Sequence, residues 1–390
     1  MVVLKIFARL VIYWSKSPKT PILRQNFCSG SVDAMYAEAV LSVFSQRYAG
    51  ARDKFVSSVE TSSIVERVNN IAHPLKGPKN EKLFCDIAWA GNPKAKNLLV
   101  LVSGLHGVEG GVGSAIQSDF ISRHRRLPPD ICVVLVHALN PWGFAWASRN
   151  DHEGVDVNRN FVDFSGKLPD SAEALKIWQE LSQSGADMDK VGAQRELFDA
   201  LSQGQYQQSD TLYYGGDKAS WSREVIEQLA AQIKPEKREQ IVVIDIHSGL
   251  GPYGYGELIC DHPHDSKATQ TARDLFGATV TEPAMGTSSS GVKHGLHDYF
   301  WHAQGEHVCF LTLEFGSFGN SEMLRVLYAD YLLQQSGKID WSDQQTLDTK
   351  HGIQDFFCPD QTQWQELVLF RGRQVIEMAL EGLSGQNGSN

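Results

Sequence analysis

The run NLLVLVSGLHGVEGG occupies residues 97–111. Its apolar part, through Val102, breaks into glycines, and His106 and Glu109 stand three apart among them. A near-continuous apolar run bounded by glycine is how a strand buried on both faces looks. Similar runs recur at ICVVLVHAL from Ile131, IVVIDIHSG from Ile241 and HVCFLTLEFGS from His307. KLFCDIAWAG from Lys82 and GELICDH from Gly256 are further β-type stretches. Helical patterns lie between them, in GVGSAIQSDFISRH from Gly111, DSAEALKIWQELSQ from Asp170, SWSREVIEQLAAQI from Ser220, SKATQTARDLFG from Ser266 and SEMLRVLYADYLLQQ from Ser321. Strands alternating with helices predict an α/β fold, a mostly parallel or mixed sheet covered on both faces.

The 390 residues are long enough for one large α/β domain. No Pro/Gly/Ser linker divides them. One domain is expected over 32–383, with residues 162–240 a polar, helix-rich insertion, and 384–390 a disordered tail. Residues 1–32 hold five of the 36 bases and none of the 46 acids. Residues 1–31 are therefore expected to be a basic extension ahead of the domain, disordered or arising from a mis-assigned start. Lys5 and Arg9 interrupt its apolar opening, which argues against a secretory signal or a membrane span. The net charge of -10 argues against nucleic acid as a partner. None of the six cysteines forms a CxxC pair. They read as reduced core residues of a cytoplasmic protein.

In open α/β sheets, function gathers beyond the carboxyl ends of the strands. That rule selects a short set here. His106 and Glu109 follow the first run. NPWGFAWASRNDHEGVDVNRNF, from Asn140, follows the second and carries Arg149, Asp156, Asn158 and Arg159. His247 ends the third, and Glu314 ends the fourth. Two histidines and a glutamate form a known ligand set for catalytic zinc with a position open for water. A further carboxylate can take a proton from that water, and Glu314 fits. Arg149 and Arg159 are candidates to polarise a carbonyl or pair with a substrate carboxylate. His-x-x-Glu alone is a weak signal among 13 histidines. The ordered set, each member after a β-type run, is the stronger one.

Those residues resemble the zinc carboxypeptidase superfamily, the carboxypeptidase A-like metallopeptidases with their deacylase relatives, and within it a bacterial carboxypeptidase-like branch. The shared pattern is NP-x-GF, an arginine, then D-x-NRN-[FW]. The resemblance implies a three-layer α/β/α sandwich around a roughly eight-stranded sheet. It implies one zinc per chain on His106, Glu109 and His247, with Asp156 orienting His106. It also implies that Arg149 assists the oxyanion, that Asn158 and Arg159 bind a terminal carboxylate, and that Glu314 is the general base. The activity implied is amide hydrolysis of a small peptide. Peptidase members carry a tyrosine shortly before the glycine-rich turn that precedes the base. MGTSSSGVKHGLHDYF, from Met285, has none before its glycines. Tyr213, Tyr214, Tyr253 and Tyr255 are the loop alternatives, with Tyr299 further on. That gap keeps N-acyl amino acid deacylation open as a second activity. A zinc- or carboxylate-binding protein without turnover is a third reading. A phosphate loop is disfavoured because Ile116 stands where a third glycine is needed and no GK[ST] occurs. A serine hydrolase is disfavoured because no G-x-S-x-G occurs. Oligomeric state is not legible.

Overall fold

The computed structural model describes residues 41–184, 188–337 and 339–385. The basic extension 1–31, the expected domain start at 32 and residues 386–390 of the tail lie outside them. The elements in chain order are α1 (Tyr48–Glu60), β1 (Val65–Lys76), β2 (Lys82–Gly91), β3 (Asn97–Ser103), α2 (Gly110–Arg123), β4 (Ile131–His137) and α3 (Pro141–Ala145). There follow α4 (Ala172–Ser184), α5 (Met188–Ala193), α6 (Arg195–Ser202), α7 (Trp221–Ile233), β5 (Gln240–Gly249), β6 (Gly256–Ile259), α8 (Lys267–Phe276) and β7 (Val280–Thr281). The last are α9 (His297–His302), β8 (Val308–Gly316), α10 (Asn320–Gln335), α11 (Gln344–Phe357) and α12 (Thr362–Leu383).

The eight strands form one sheet in the order β1-β2-β4-β3-β5-β8-β6-β7. Its centre, β4-β3-β5-β8, is parallel throughout. These are the apolar runs of the sequence, and nearly every residue in them is buried. Outside this centre, β2 is antiparallel to β4, β1 to β2, and β6 to β8, while β7 is parallel to β6. The mixed, mostly parallel sheet expected from the sequence is the one present.

Helices cover both faces. On one, Val225, Ile226, Leu229 and Ile233 of α7 pack on Leu98, Val100, Val134 and Val243. Burying each such side chain contributes about 1.5–3 kcal/mol before entropy is counted. On the other face α2 comes close: a Cβ at Gly113 would meet the Ser103 Cβ at 2.4 Å. The Gln117 side chain beside it is satisfied by the sheet, donating to the Leu101 and Val136 carbonyls at 3.0 and 3.1 Å. α12 stacks behind α2, where Gly372 faces Ile116.

The span 162–240 divides between two layers. Trp178, Leu181, Phe198 and Leu201 of α4 and α6 join a separate apolar cluster with Leu324, Leu327, Phe356 and Phe357 of α10 and α11. α7, at the end of the same span, belongs to the covering of the sheet. Strands β1 and β7 escaped the sequence pattern. β1 is an edge strand in which only His73 is fully buried, so its apolar content is low. Its register slips between Ala72 and Lys76, where Pro74 has no N–H to give. Among the described residues no helix is long and apolar enough to cross a membrane. The five described cysteines are free and buried.

Candidate metal centre

Strand β3 ends in Gly104, which adopts the left-handed φ of +66°. His106 follows, and a short 3-10 turn over Gly107–Glu109 leads into α2. Gly107 lies against the backbone of Gly143 and Phe144, where any Cβ would come within 2.4 Å of three backbone atoms. That contact brings the His106–Glu109 turn against the segment beginning at Asn140. Asn140 starts α3 by accepting the Gly143 N–H at 2.9 Å, with Pro141 at the first helical position. On β5, Asp245 and His247 are two residues apart and so share a face. In the parallel register His247 pairs with Glu314 of β8, which sets those two side chains on neighbouring strands.

His106, Glu109 and His247 are all buried, and one ligand atom from each lies within 4.8 Å of the others. His106 Nδ1 is 2.9 Å from Glu109 Oε1, and His247 Nδ1 is 3.2 Å from Glu109 Oε2. Glu109 Oε2 also accepts the Ser248 N–H at 3.0 Å. Burial opposes the charge of Glu109, but His106 and His247 hold its pKa well below the usual carboxylate range. Two imidazole nitrogens converging on one buried carboxylate form a donor set suited to zinc.

The outer nitrogens of both imidazoles face carboxylates. His106 Nε2 is 3.1 Å from Asp156 Oδ1, and Asp156 Oδ1 also caps the Asn158 N–H at 3.0 Å. Burial works against the Asp156 charge, yet Arg149 and His106 hold its pKa well down. His247 Nε2 lies 3.2 Å from Asp245 Oδ2, close enough for an ion pair but outside hydrogen-bond geometry. Asp245 Oδ2 in turn is 2.8 Å from His297 Nδ1, and the Trp301 indole donates to His297 Nε2 at 2.9 Å. An indole N–H can only donate, so a neutral His297 carries its proton on Nδ1, toward Asp245. Asp245 is lowered to about 2: burial opposes this, but His247 and His297 outweigh it. Sequence reasoning passed over Asp245 because it sits inside an apolar run. The Asp-x-His alternation in VIDIH was the available signal.

Arg149 is partly buried, with Nε 3.1 Å from Asp156 Oδ2, Nη1 3.1 Å from Glu109 Oε1 and Nη2 2.9 Å from His106 Nε2. Arg159 donates Nε and Nη2 to the Ser202 carbonyl at 3.0 and 2.7 Å, and Nη1 to the Asn158 carbonyl at 2.6 Å. Asn158 Oδ1 accepts the His297 N–H at 2.9 Å. Arg159 thus commits three of its five N–H groups within the protein, and Arg149 commits two to carboxylates. Glu314 Oε1 accepts the Leu250 N–H at 2.9 Å. Burial, and then the charge of Glu109, push Glu314 up to about 8.

His106, Glu109, His247, Glu314 and the two arginines line one open cleft, roughly 750 Å³ with its mouth included. Tyr213 lines it too, with a buried hydroxyl that has no hydrogen-bond partner. Its ring lies under the guanidinium groups of Arg149 and Arg159, at 5.5 and 5.8 Å. Its φ of 58° is strained for a tyrosine. Of the other tyrosines considered, Tyr253 and Tyr255 are exposed, and Tyr299 donates to the Lys293 carbonyl at 2.7 Å. Nothing local in LYYGG distinguishes Tyr213 from Tyr214.

Residues 44–371 match the family described as "Protein of unknown function (DUF2817)", and the chain belongs to it. No curated protein matches the chain. Among solved structures it is similar to bovine thrombin-activatable fibrinolysis inhibitor, determined in complex with tick carboxypeptidase inhibitor. The identity is 11%, covering 86% of this chain and 99% of that one, with a TM-score of 0.46. It is similar to an aspartoacylase family protein from Mesorhizobium loti, at 16% identity over 70% of this chain and 68% of that one, TM-score 0.38. It is also similar to succinylglutamate desuccinylase from Chromobacterium violaceum, at 13% identity over 79% of this chain and 74% of that one, TM-score 0.34.

Proposed function

We propose that this member of the DUF2817 family is a zinc-dependent hydrolase that cleaves an amide bond in a small substrate bearing a free carboxylate. The observation that carries this is the buried set His106, Glu109 and His247, within 4.8 Å of one another and in one cavity with Glu314. One zinc per chain would be held by the two Nδ1 atoms and the Glu109 carboxylate. When bound, zinc supplies a Lewis acid and brings the pKa of water from about 16 toward 7.

The chain's own groups do the rest. Asp156 and Asp245 keep the two imidazoles oriented with Nδ1 toward the metal position. Glu314 is oriented through Oε1 by the Leu250 N–H. That leaves Oε2 to take a proton from the attacking water and return it to the leaving nitrogen. Glu314 then holds that proton between those two steps. The unused N–H groups of Arg149 meet the developing oxyanion. Those of Arg159, with Asn158 and the Tyr213 hydroxyl, meet the substrate carboxylate.

N-acyl amino acid deacylation is a second reading, favoured by one observation. Phe198, Ser202 and Tyr213 from the span 162–240 wall the cavity, which suits a small substrate. Zinc-loaded protein assayed on free-acid peptides, C-terminally amidated peptides and N-acyl amino acids separates these readings. Hydrolysis is expected only where the carboxylate is free. Glu314→Gln should keep zinc and lose about 10²–10⁴-fold in turnover. Near-normal turnover in that variant would remove Glu314 from the chemistry. Stoichiometric zinc with no hydrolysis of any class would leave a binding protein without turnover.

A further inference from the structure

We propose that Lys350, paired with Asp330, is a positioning residue for the metal centre: its ammonium holds the Ala147 carbonyl and, through it, the segment that carries Arg149 and backs the His106–Glu109 turn. What this implies for turnover rests on the hydrolytic reading. What it implies for metal binding rests only on the ligand set.

Lys350 lies in α11, and no part of it reaches solvent. Its Nζ donates to Asp330 Oδ1 of α10 at 2.6 Å and to the Ala147 carbonyl at 3.2 Å. Asp330 is buried as well. Stability is a weak reason for such a pair, because apolar residues of similar size often do as well. The backbone that Lys350 holds is unusual. Ala147 has a φ of 47°, in the left-handed region that residues with a Cβ rarely adopt. Such a conformation persists where its surroundings over-determine it. Ala147 and Val108 pack in one apolar cluster with Leu327 of α10 and Ile353 of α11, so the Lys350 contact is closed to water.

The turn at Ala147 sets the path of the next two residues. The Ser148 N–H returns to the Gly143 carbonyl at 2.8 Å. Ser148 and Arg149 then run beside the ligand turn, their carbonyls accepting the N–H groups of Val108 at 2.9 Å and Gly107 at 3.2 Å. Gly107 and Val108 are the residues that separate His106 from Glu109. A shift at Ala147 therefore moves the Arg149 guanidinium and the spacing of two ligands together. α11 also bears on the other side of the site. The carbonyl of Phe357, about two helical turns from Lys350, accepts the Ser248 hydroxyl at 2.6 Å. The Ser248 N–H is the one that Glu109 Oε2 accepts. That second hold does not depend on Lys350, so the defect expected without Lys350 is confined to Arg149 and the His106–Glu109 turn.

Removing Lys350 alone strands the buried Asp330 charge and threatens the fold. The test therefore uses the full-length protein with Asp330→Asn and Lys350→Met together, which removes both charges, and thermal melting checks that it is folded. Zinc affinity, by competition with a chelator, should fall about tenfold. At saturating zinc, kcat should fall at least about tenfold with KM changed less than about threefold. Adding Ala147→Gly, which adopts a left-handed φ freely, should recover most of both losses. In an Arg149→Ala background the paired substitutions should cost little further in kcat, because their effect on turnover runs through Arg149. Unchanged zinc affinity and kcat in the folded double variant would overturn the positioning role and leave the hydrolytic reading standing. Losses that Ala147→Gly does not recover would overturn it too. If no amide is cleaved, but zinc affinity falls and recovers as described, the positioning role stands and the hydrolytic reading falls. Neither hydrolysis nor a change in zinc affinity would overturn both.

Discussion

His106, His247 and Glu314 stand at the ends of β3, β5 and β8, three adjacent parallel strands in the buried centre of the sheet. Arg159, Tyr213 and Lys293 reach the same cavity from segments outside the sheet. The first group is positioned by strand register. His247 and Glu314 are direct partners across the β5–β8 ladder, and strands lie about 4.8 Å apart. The second group is positioned by side-chain contacts, chiefly to the end of α6. Arg159 holds the Ser202 carbonyl, Lys293 holds Ser202 Oγ, and Tyr213 sits in a strained conformation with its ring under Arg149 and Arg159. A ladder with every backbone group paired resists displacement, so it suits groups that must be placed to about 0.5 Å. Loop walls tolerate change and suit recognition. On the proposed function this is a division of labour: metal and proton chemistry at the ends of the strands, substrate selection on the segments around them.

Variants can break or sharpen that division. The largest effect is expected from His106→Ala and His247→Ala, each of which should abolish stoichiometric zinc and, with it, hydrolysis. Metal analysis after dialysis measures this, and full zinc retention in both variants would break the ligand assignment. A smaller effect is expected one step out. Asp245→Asn leaves the ligands intact but loosens the orientation of His247, so zinc affinity should fall about 10–100-fold by competition with a chelator. Unchanged affinity would show that β5 alone fixes the imidazole. The smallest effect is expected on the loop wall. Tyr213→Phe removes one hydroxyl, worth about 1 kcal/mol, and should raise KM about fivefold with kcat little changed. A collapse of kcat instead would move Tyr213 to the chemical side and blur the division.

How much of this was legible depended on where the determining contacts lie. The strands β2, β3, β4, β5, β6 and β8 were readable because burial is written into consecutive residues. Edge strand β1, wet along most of its length, carries too few apolar residues to announce itself. Helix α1 likewise buries only Tyr48, Ala51 and Phe55. Within the site, His106, Glu109, Asp156, His247 and Glu314 stood out because each follows a break in an apolar run. Asp245 did not, because it sits inside the apolar run itself, ahead of its break.

By itself, then, the sequence determined the parallel centre of the sheet and the polar residues that leave its strand ends. Hydrophobic periodicity and glycine breaks are local, and a local pattern needs no partner to be read. Only the tertiary structure decided which tyrosine faces the cavity and that Arg159 is half occupied by the Ser202 carbonyl. Those facts depend on which distant segments meet, and hydrogen-bond satisfaction is a property of the meeting, not of either segment.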